Sequence, residues 1–321
     1  PGWAGSCWYF LRYCSPHCED HFIDPQAEKY WLLRERSTPA EASLAAGEES
    51  FDAKHHQVGG VDLYIGGAEH AVLHLLYARF WHKILFDLGE VSTPEPMNKL
   101  FHQGMITSFA YKRPDGSLVA VDEVDEVDGG HVERETGESV ERIVAKMSKS
   151  LRNVVNPDDV VAEYGADTMR LYEMYMGPLE ASAPWNTRDI VGVHRFLQRA
   201  WRLVIEEESG SLRLLEVGDD AVERSLHRTI HKVGEDIPKL AFNTAIAAMI
   251  EFVNEATGVG LSRPQFEKFT LLLSPFVPHV AEGFWHRLGH QTSVALESWP
   301  VFEPALLVDD QVEIPVQILG K

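Results

Sequence analysis

Three apolar stripes at helical spacing in the later part of the chain constrain its fold more than any other feature. Within 190–204, 242–253 and 269–280, apolar residues recur three or four positions apart. This period places them on one face of an α-helix, and each such face needs a partner to bury it. The sequence therefore predicts an α-helical bundle over 188–300.

Four arginines lie within or just before the first of these segments, away from its apolar stripe: Arg188, Arg195, Arg199 and Arg202. Arginines in this arrangement fit contacts to nucleic-acid phosphates and fit a solvated helix face equally well. The chain as a whole is acidic, with 49 Asp and Glu against 29 Lys and Arg, which does not favour nucleic-acid binding. Because local patches make the phosphate contacts, both interpretations stay open.

The earlier part of the chain has an α/β pattern instead. Residues 61–65 are a short run of β-branched and aromatic side chains that predicts a buried strand, and this run leads directly into Gly66 and Gly67. From His70 onward, residues at helical spacing predict a helix. A strand, a glycine pair and a helix let the backbone approach a ligand, and an acid just after the glycines, here Glu69, can hydrogen-bond a ribose.

A second candidate ligand site is the run Lys146-Met147-Ser148-Lys149-Ser150. Its two ammonium groups and two hydroxyls suit a polyanion, although a solvated basic loop has the same composition. The residues that follow predict two helices. Asn156 suits an N-cap and Pro157 the first helical position, and the second helix spans 167–176.

At the start of the chain, small residues alternate with aromatic ones over 1–13. Such a stretch is typical of a core cluster, and it also fits an apolar pocket in which Ser6 and Tyr9 supply the polar contacts. The segments 34–60 and 111–145 look like insertions. The second predicts small hairpins, with turns at Asp115-Gly116 and Gly129-Gly130.

Composition argues against some classes of protein. No apolar run approaches the roughly 20 residues that a membrane span needs. Three cysteines are an odd number and argue against a disulfide framework. Cys14 and Cys18 lie near two histidines, but no second Cys/His pair follows at ligand spacing, so we expect no metal site there. A cytoplasmic location fits best.

The lysine run, as written, matches the second signature of class I aminoacyl-tRNA synthetases, in which this loop holds the phosphates of ATP. The segment 64–80 closely resembles the leucyl-tRNA synthetases, since isoleucyl and valyl relatives typically carry Gly-x-Asp-Gln where this chain has Glu69-His70. Residues 164–171 are similar to the connector of class I synthetases. Residues 243–245 and 275–279 are similar to their anticodon-binding bundle.

The resemblance implies an α/β fold: the later half of a class I Rossmann-like catalytic domain, followed by an α-helical anticodon-binding-type bundle. It covers nearly all of the chain, but the His-x-Gly-His signature and the editing domain of the complete enzymes have no match in it. The implied domains are a partial catalytic domain over 1–150, a stem-contact-type connector over 151–187, the bundle over 188–300 and the start of a truncated C-terminal domain over 301–321.

The resemblance also implies an enzymatic activity, the ATP-dependent activation of leucine to leucyl-adenylate and its transfer to tRNA(Leu), with Mg²⁺ sharing the phosphate charge. Lys146 and Lys149 are the implied catalytic residues, with Lys149 the larger contributor. The implied leucine pocket comprises Trp3 (a Phe in some family members), Ser6, Tyr9, His70 and His74. The implied ATP site comprises Gly66, Gly67, Glu69, His70, Gly104, Met105, Lys146, Met147, Ser148, Lys149 and Ser150.

The expected partners are leucine, ATP, tRNA(Leu) and the N-terminal half of the catalytic domain, without which we expect little or no aminoacylation. Two other interpretations remain. One is a nucleotidyltransferase with a similar nucleotide fold, which would not need the long bundle. The other is a non-catalytic tRNA-binding module or a subunit of a split synthetase.

Overall fold

The computed structural model describes residues 4–33 and 59–308. The chain divides into two compact units, Pro1–Met105 and Ile106–Lys321. Trp3, most of the insertion-like segment 34–60 and most of the implied C-terminal segment 301–321 lie outside the described residues.

The first unit is built around a parallel pair of strands with a helix between them in sequence. Strands β1 and β2 pair in parallel, with Tyr64 opposite Leu100 and Ile65 opposite Phe101. The elements of this unit are a 3₁₀ turn Gly5–Cys7, α1 Tyr9–Cys14, α2 Pro25–Leu32, β1 Tyr64–Ile65, a 3₁₀ turn Ala68–His70, α3 His74–Asp87 and β2 Leu100–Phe101. Its core is small and comprises Phe10, Leu11, Ile23, Leu32, Leu85 and Val91.

Two sequence predictions for this unit are wrong in detail. Only Tyr64–Ile65 of the expected strand 61–65 is a strand, and Ile65 is 48% exposed rather than buried. Among the described residues β1 pairs only with β2, so its other edge has no neighbouring strand. The helix begins at His74 and not at His70, because Leu73 has φ −123° and ψ −68°, outside helical geometry.

The second unit begins with a small sheet centred on one long strand. Strand β3 pairs antiparallel with β4 and β7 and parallel with β8, while β5 and β6 form a separate hairpin. The strands are β3 Ile106–Lys112, β4 Leu118–Val119, β5 Val124–Val127, β6 Gly130–Glu133, β7 Glu141–Lys146 and β8 Ala183–Pro184. The hairpins expected over 111–145 are confirmed, with the second turn at Asp128-Gly129, where both residues have positive φ.

Helices dominate the rest of the described part of this unit, and the bundle expected from residue 188 onward is confirmed. The helices are α4 Pro157–Tyr164, α5 Ala166–Tyr175, α6 Ile190–Val204, α7 Asp220–Asp236, α8 Phe242–Ala256, α9 Arg263–Leu273 and α10 Pro278–Arg287. The apolar stripes meet in one core, whose fully buried aromatic residues are Phe196, Phe252, Phe266, Phe269, Phe276 and Phe284. The third stripe is divided between α9 and α10, since prolines at 275 and 278 end one helix and begin the next.

Polar contacts join α5 of the connector to the turn between α9 and α10 of this bundle. The buried carboxylate of Asp167 on α5 accepts hydrogen bonds from His279 Nδ1 at 2.7 Å and from the backbone N–H of Val280 at 2.8 Å. It therefore satisfies backbone groups at the start of α10 that the helix itself leaves without a partner. The guanidinium of Arg170 donates to the carbonyl oxygens of Pro275 and Phe276. The structure thus fixes α5 against the turn between α9 and α10.

The end caps predicted from the sequence are confirmed. The Asn156 side chain accepts a hydrogen bond from the backbone N–H of Asp158, and Pro157 is the first residue of α4. Gly165 ends α4 with φ +88°, a conformation that favours glycine. Among residues 4–33 and 59–308, no helix combines the length and the apolar character that a membrane crossing requires.

Candidate functional site

A cavity of about 330 Å³ lies at the carboxyl ends of β1 and β2 in the first unit. This is the edge of a parallel sheet at which α/β folds bind ligands, and the volume is suited to a small molecule. The cavity brings together six of the residues that the sequence analysis selected. Its lining is Ser6, Tyr9, Tyr64, Ile65, Gly66, Gly67, His70, His74, Leu75, Leu100 and His102.

The backbone at the glycine pair is fixed by contacts to the neighbouring strand. The N–H of Gly66 donates to the carbonyl oxygen of Phe101 at 3.1 Å. His102 Nδ1 lies 2.9 Å from the carbonyl oxygen of Gly66 and donates to it, since that oxygen can only accept. Both polar groups of Gly66 are therefore satisfied by the last residue of β2 and the residue that follows it. These hydrogen bonds hold the backbone of Gly66 in place where it lines the cavity.

A chain of hydrogen bonds crosses the cavity wall. The hydroxyl oxygens of Tyr9 and Tyr64 are 2.6 Å apart, and the Tyr64 hydroxyl lies 2.8 Å from His74 Nε2. Burial and the Tyr9 hydroxyl raise the pKa of Tyr64 above its ordinary value. Burial, and to a smaller extent the nearby His70, lowers the pKa of His74. Tyr64 and His74 are therefore uncharged near pH 7, so the Tyr64 hydroxyl donates to His74 Nε2 and accepts from the Tyr9 hydroxyl.

Tyr64 lines the cavity but was not among the site residues predicted from the sequence. It lies directly before the glycine pair, which was the available signal, but a strand of two residues has no alternation to show which face is inward. The structure gives it two polar partners, one of them 55 residues away in the sequence. Tyr64 thus connects the aromatic stretch at the start of the chain to α3.

The other predicted residues of the first unit lie outside this cavity lining. Glu69 is exposed, and its carboxylate folds back over Gly67, where a Cβ atom would collide with Glu69 Oε2. Gly67 therefore leaves room for the glutamate. Gly104 is half-buried and Met105 is 38% exposed.

The lysine run lies in the second unit, between β7 and α4. Lys146 is the last residue of β7, and Lys149 begins a 3₁₀ turn, Lys149–Leu151, that is capped by Ser148. The Ser148 hydroxyl accepts a hydrogen bond from the N–H of Leu151 at 3.2 Å. Both lysines are exposed, and within the described part of the chain neither makes an ion pair or a hydrogen bond through its ammonium group. The loop thus presents two unneutralised positive charges on an ordered backbone.

Two features beneath this loop were not predicted. Met147 packs against the core of the helical bundle, so the middle of the run is anchored rather than free. Asn153, three residues past the run, is 1% exposed and contacts the run directly. The burial of Asn153 could not be predicted from the sequence, because a single asparagine in a loop belongs to no pattern that predicts burial.

A larger cavity of about 670 Å³ lies in the second unit, where α4 and α5 meet α6 and α10. Its polar side chains are already paired. Asp167 accepts from His279, and Thr168 Oγ1 lies 3.3 Å from His194 Nδ1. We therefore interpret this groove as a junction between helices. Over the described ranges, no group of three or more His, Cys, Asp or Glu residues is placed to hold a metal ion.

Two family models match parts of this chain. The family model described as the anticodon-binding domain of tRNA ligase matches residues 219–321, which include α7 to α10. The model for class I tRNA synthetases (I, L, M and V) matches residues 141–183, which include the lysine run and the connector helices.

Relatives with curated names cover the whole chain. A leucine–tRNA ligase of Streptomyces coelicolor is 48% identical over 327 residues, covering 100% of this chain and 32% of the relative. One from Salinispora tropica is 50% identical over 323 residues, again covering 100% of this chain and 32% of the relative. A leucine–tRNA ligase of Treponema pallidum is 48% identical over 341 residues, and the match covers 36% of its length. The chain is homologous to a segment of the leucine–tRNA ligases.

A solved structure of a leucyl-tRNA synthetase is also similar to this chain. The LeuRS of Agrobacterium radiobacter K84, AgnB2, crystallised in a ternary complex with tRNA and LeuAMS, matches with a TM-score of 0.64 and 29% sequence identity. The match covers 94% of this chain and 34% of that chain. The chain therefore has the α/β-plus-bundle fold of a leucine–tRNA ligase segment, and it spans about a third of the length of the curated relatives that it matches.

Proposed function

We propose that this chain forms part of a leucine–tRNA ligase, supplying the leucine pocket and the phosphate-binding lysine loop of an enzyme that activates leucine with ATP and transfers it to tRNA(Leu). The observation that carries the proposal is the cavity of the first unit, around which Ser6, Tyr9, the glycine pair, His70 and His74 converge. The homology of the whole chain to leucine–tRNA ligases supports it and does not favour a purely non-catalytic module.

The chemistry of the cavity suits a small amino acid with an apolar side chain. Ile65, Leu75 and Leu100 supply apolar lining, and Tyr64 and His74 are uncharged. An uncharged, largely apolar wall accepts a leucine side chain without leaving a buried charge unpaired. His70 is exposed beside His74, with ring centroids 6.0 Å apart, and we assign it to the polar end of the substrate.

The lysine loop suits the phosphates of ATP. As the leucine carboxylate attacks the α-phosphate, negative charge grows on the leaving pyrophosphate, and preorganised ammonium groups stabilise that charge most in the transition state. Lys146 and Lys149 have no competing carboxylate within the described part of the chain. A class I synthetase uses ATP, and we assign its phosphates to these two lysines.

The described residues offer no dedicated cage for Mg²⁺, because no cluster of three potential metal ligands is present among them. Mg²⁺ is commonly bound through substrate phosphates and water, with few protein ligands. We therefore propose that Mg²⁺ enters with ATP, where its charge would neutralise part of the phosphate charge.

We also propose that the bundle contacts the body of tRNA(Leu). Two of the four arginines considered from the sequence are engaged with carboxylates. Arg188 lies 3.1 Å from Glu126 and Arg202 lies 3.6 Å from Glu207. Arg195 and Arg199 have no such partner within the described ranges, which leaves them as the better candidates for phosphate contacts.

The remaining partner is the rest of the catalytic domain. Helix α3 exposes an apolar row at four-residue spacing, Leu76, Phe80 and Ile84, which its C-cap Leu88 continues. Parallel sheets are normally covered on both faces, yet β1 and β2 stand as a pair among the described residues. We propose that the N-terminal half of the ligase covers this surface, that the divisions 1–150, 151–187, 188–300 and 301–321 hold in the complete enzyme, and that it acts in the cytoplasm.

The test uses the complete ligase that contains this segment. Lys149→Ala should lower the rate of leucine-dependent ATP–pyrophosphate exchange on the order of 10²-fold or more, because one preorganised donor to the developing charge is lost. Lys29→Ala removes an exposed lysine of α2 and serves as the matched control, with an unchanged rate. An unchanged exchange rate in the Lys149 variant would overturn the assignment of the loop to the ATP phosphates.

A further inference from the structure

One buried side chain lies beneath the exposed lysine run. Asn153 is 1% exposed, whereas the side chain of Arg152 is 58% exposed and Val154 is 53% exposed. A buried amide side chain needs hydrogen-bond partners, since desolvation without them is costly. The partners of Asn153 are the backbone of the lysine run itself.

The two hydrogen bonds of Asn153 lie on either side of Met147. The backbone N–H of Ser148 donates to Asn153 Oδ1 at 2.9 Å, and Asn153 Nδ2 donates to the carbonyl oxygen of Lys146 at 3.4 Å. These partners also fix which end of the amide is which, because an N–H must meet the oxygen and a carbonyl must meet the nitrogen. One side chain therefore holds residues 146–148 in a single conformation.

Both lysines depend on that conformation. Lys146 provides one of the two held backbone atoms. Lys149 lies at the start of the 3₁₀ turn that Ser148 caps, and Ser148 provides the other held atom. Arg152 completes the reversal with φ 50°, in the left-handed region, so that the chain turns back and buries Asn153.

We propose that Asn153 is a positioning residue of the adenylation reaction, acting through the lysine run and not by contact with substrate. It fixes the spacing and direction of the Lys146 and Lys149 stems before ATP arrives. Preorganised charge stabilises a transition state without a reorganisation cost, whereas a loop that must be ordered during the reaction loses that advantage. This inference rests on the proposed function of the lysine run.

The effect should fall on catalysis more than on stability. In Asn153→Ala, the exposed edges of the loop allow water to replace the lost bonds to Ser148 and Lys146. In the complete ligase we expect kcat for ATP–pyrophosphate exchange to fall by about 10- to 100-fold, with a much smaller change in the KM for ATP. Asn156→Ala is the matched control, since it removes the N-cap of α4 and none of the contacts to the run, and it should leave kcat within about twofold.

A second variant keeps the test valid if Asn153→Ala folds poorly. Asn153→Asp preserves the volume and the acceptor for the Ser148 N–H, but it replaces the donor to the Lys146 carbonyl with a second acceptor. We expect it to lower kcat, measured at a temperature at which the variant is folded, because its melting temperature should also fall when a buried carboxylate faces a carbonyl oxygen. Full activity in both variants would overturn the proposal.

A double-mutant cycle separates this role from a merely structural one. If Asn153 acts through Lys149, then Asn153→Ala should cost much less in a Lys149→Ala background than in the parent enzyme, because the group that it positions is gone. Additive losses would contradict a positioning role. If Lys149→Ala itself has no effect, the proposed function of the loop fails; if Lys149→Ala is severe and Asn153→Ala is silent, only the present inference fails.

Discussion

The two units differ in how they bury apolar surface. The second encloses a row of phenylalanines in one core that extends from the connector helices through the bundle. The first has a small core, and its helix α3 leaves Leu76 60% exposed and Phe80 65% exposed. Apolar rows of this kind on a helix normally face a partner.

The difference follows from the two architectures. Antiparallel helices joined by short links bury their stripes against one another, so a single stretch of sequence completes its own core. A parallel β-α-β unit has its helix on one side and needs further strands and helices to cover the remaining faces. Among the described residues, the second unit therefore buries its apolar stripes within itself, whereas the first leaves apolar residues of α3 exposed.

The largest expected effect tests the core of the second unit. Phe266→Ala removes a fully buried ring of α9 and should lower the free energy of unfolding by about 3–5 kcal/mol in urea denaturation. Phe80→Ala in the isolated chain should change it by no more than about 0.5 kcal/mol, because that ring is mostly exposed.

The same Phe80 variant in the complete ligase sharpens the comparison. If the N-terminal half covers α3, Phe80→Ala should lower the free energy of unfolding of the complete ligase by nearly as much as the loss of a buried phenylalanine. An equally small change in both contexts would show that the exposed face of α3 stays open in the complete enzyme.

A smaller effect concerns the charges that hold α3 to the segment before β2. Glu95 lies 2.8 Å from both Arg79 and Lys83 of α3, and hydrogen bonding to Arg79 lowers its pKa to about 2. Because the folded-state pKa lies below the ordinary value, the stabilisation is present above about pH 4.5 and is lost as the pH falls toward 2. All three side chains are partly exposed, so solvent screening limits the stabilisation to about 1 kcal/mol.

The corresponding variant is Glu95→Gln. It should lower the stability of the first unit by about 1 kcal/mol at pH 7, measured by amide hydrogen exchange in α3, and the difference from the parent should vanish near pH 2. A difference that persists at pH 2 would mean that Glu95 acts through packing and not through its charge.

The smallest effect probes the turn beneath the lysine run. Arg152 adopts a left-handed conformation that disfavours a residue with a Cβ atom. Arg152→Gly should remove that strain while adding freedom to the unfolded chain, for a net stabilisation of about 0.5 kcal/mol or less. Arg152→Val should instead destabilise the second unit, because a β-branched side chain fits that region worst. Equal thermal stability of the two variants would argue against strain at this position.

Local patterns account for what could be predicted from the sequence. The helical stripes and the cap at Asn156 depend on neighbours three or four residues apart, and the structure confirms both. The sequence predicts that α3 starts at His70, because the spacing of His70 from the apolar residues after it fits the helical period. The structure begins the helix at His74, because the Ala68–His70 turn and Leu73 follow the backbone contacts of the glycine pair.

The sequence alone determined the kinds of elements in this chain and the residue types that each presents, because periodicity, caps and signatures are local properties. It also supplied the lysine run, whose composition already indicated a polyanion. Tertiary structure alone decided that Tyr64 links Tyr9 to His74, and that Asn153 is buried beneath the lysines. Those outcomes depend on which backbone and side-chain groups packing brings together, and no spacing along the chain specifies them.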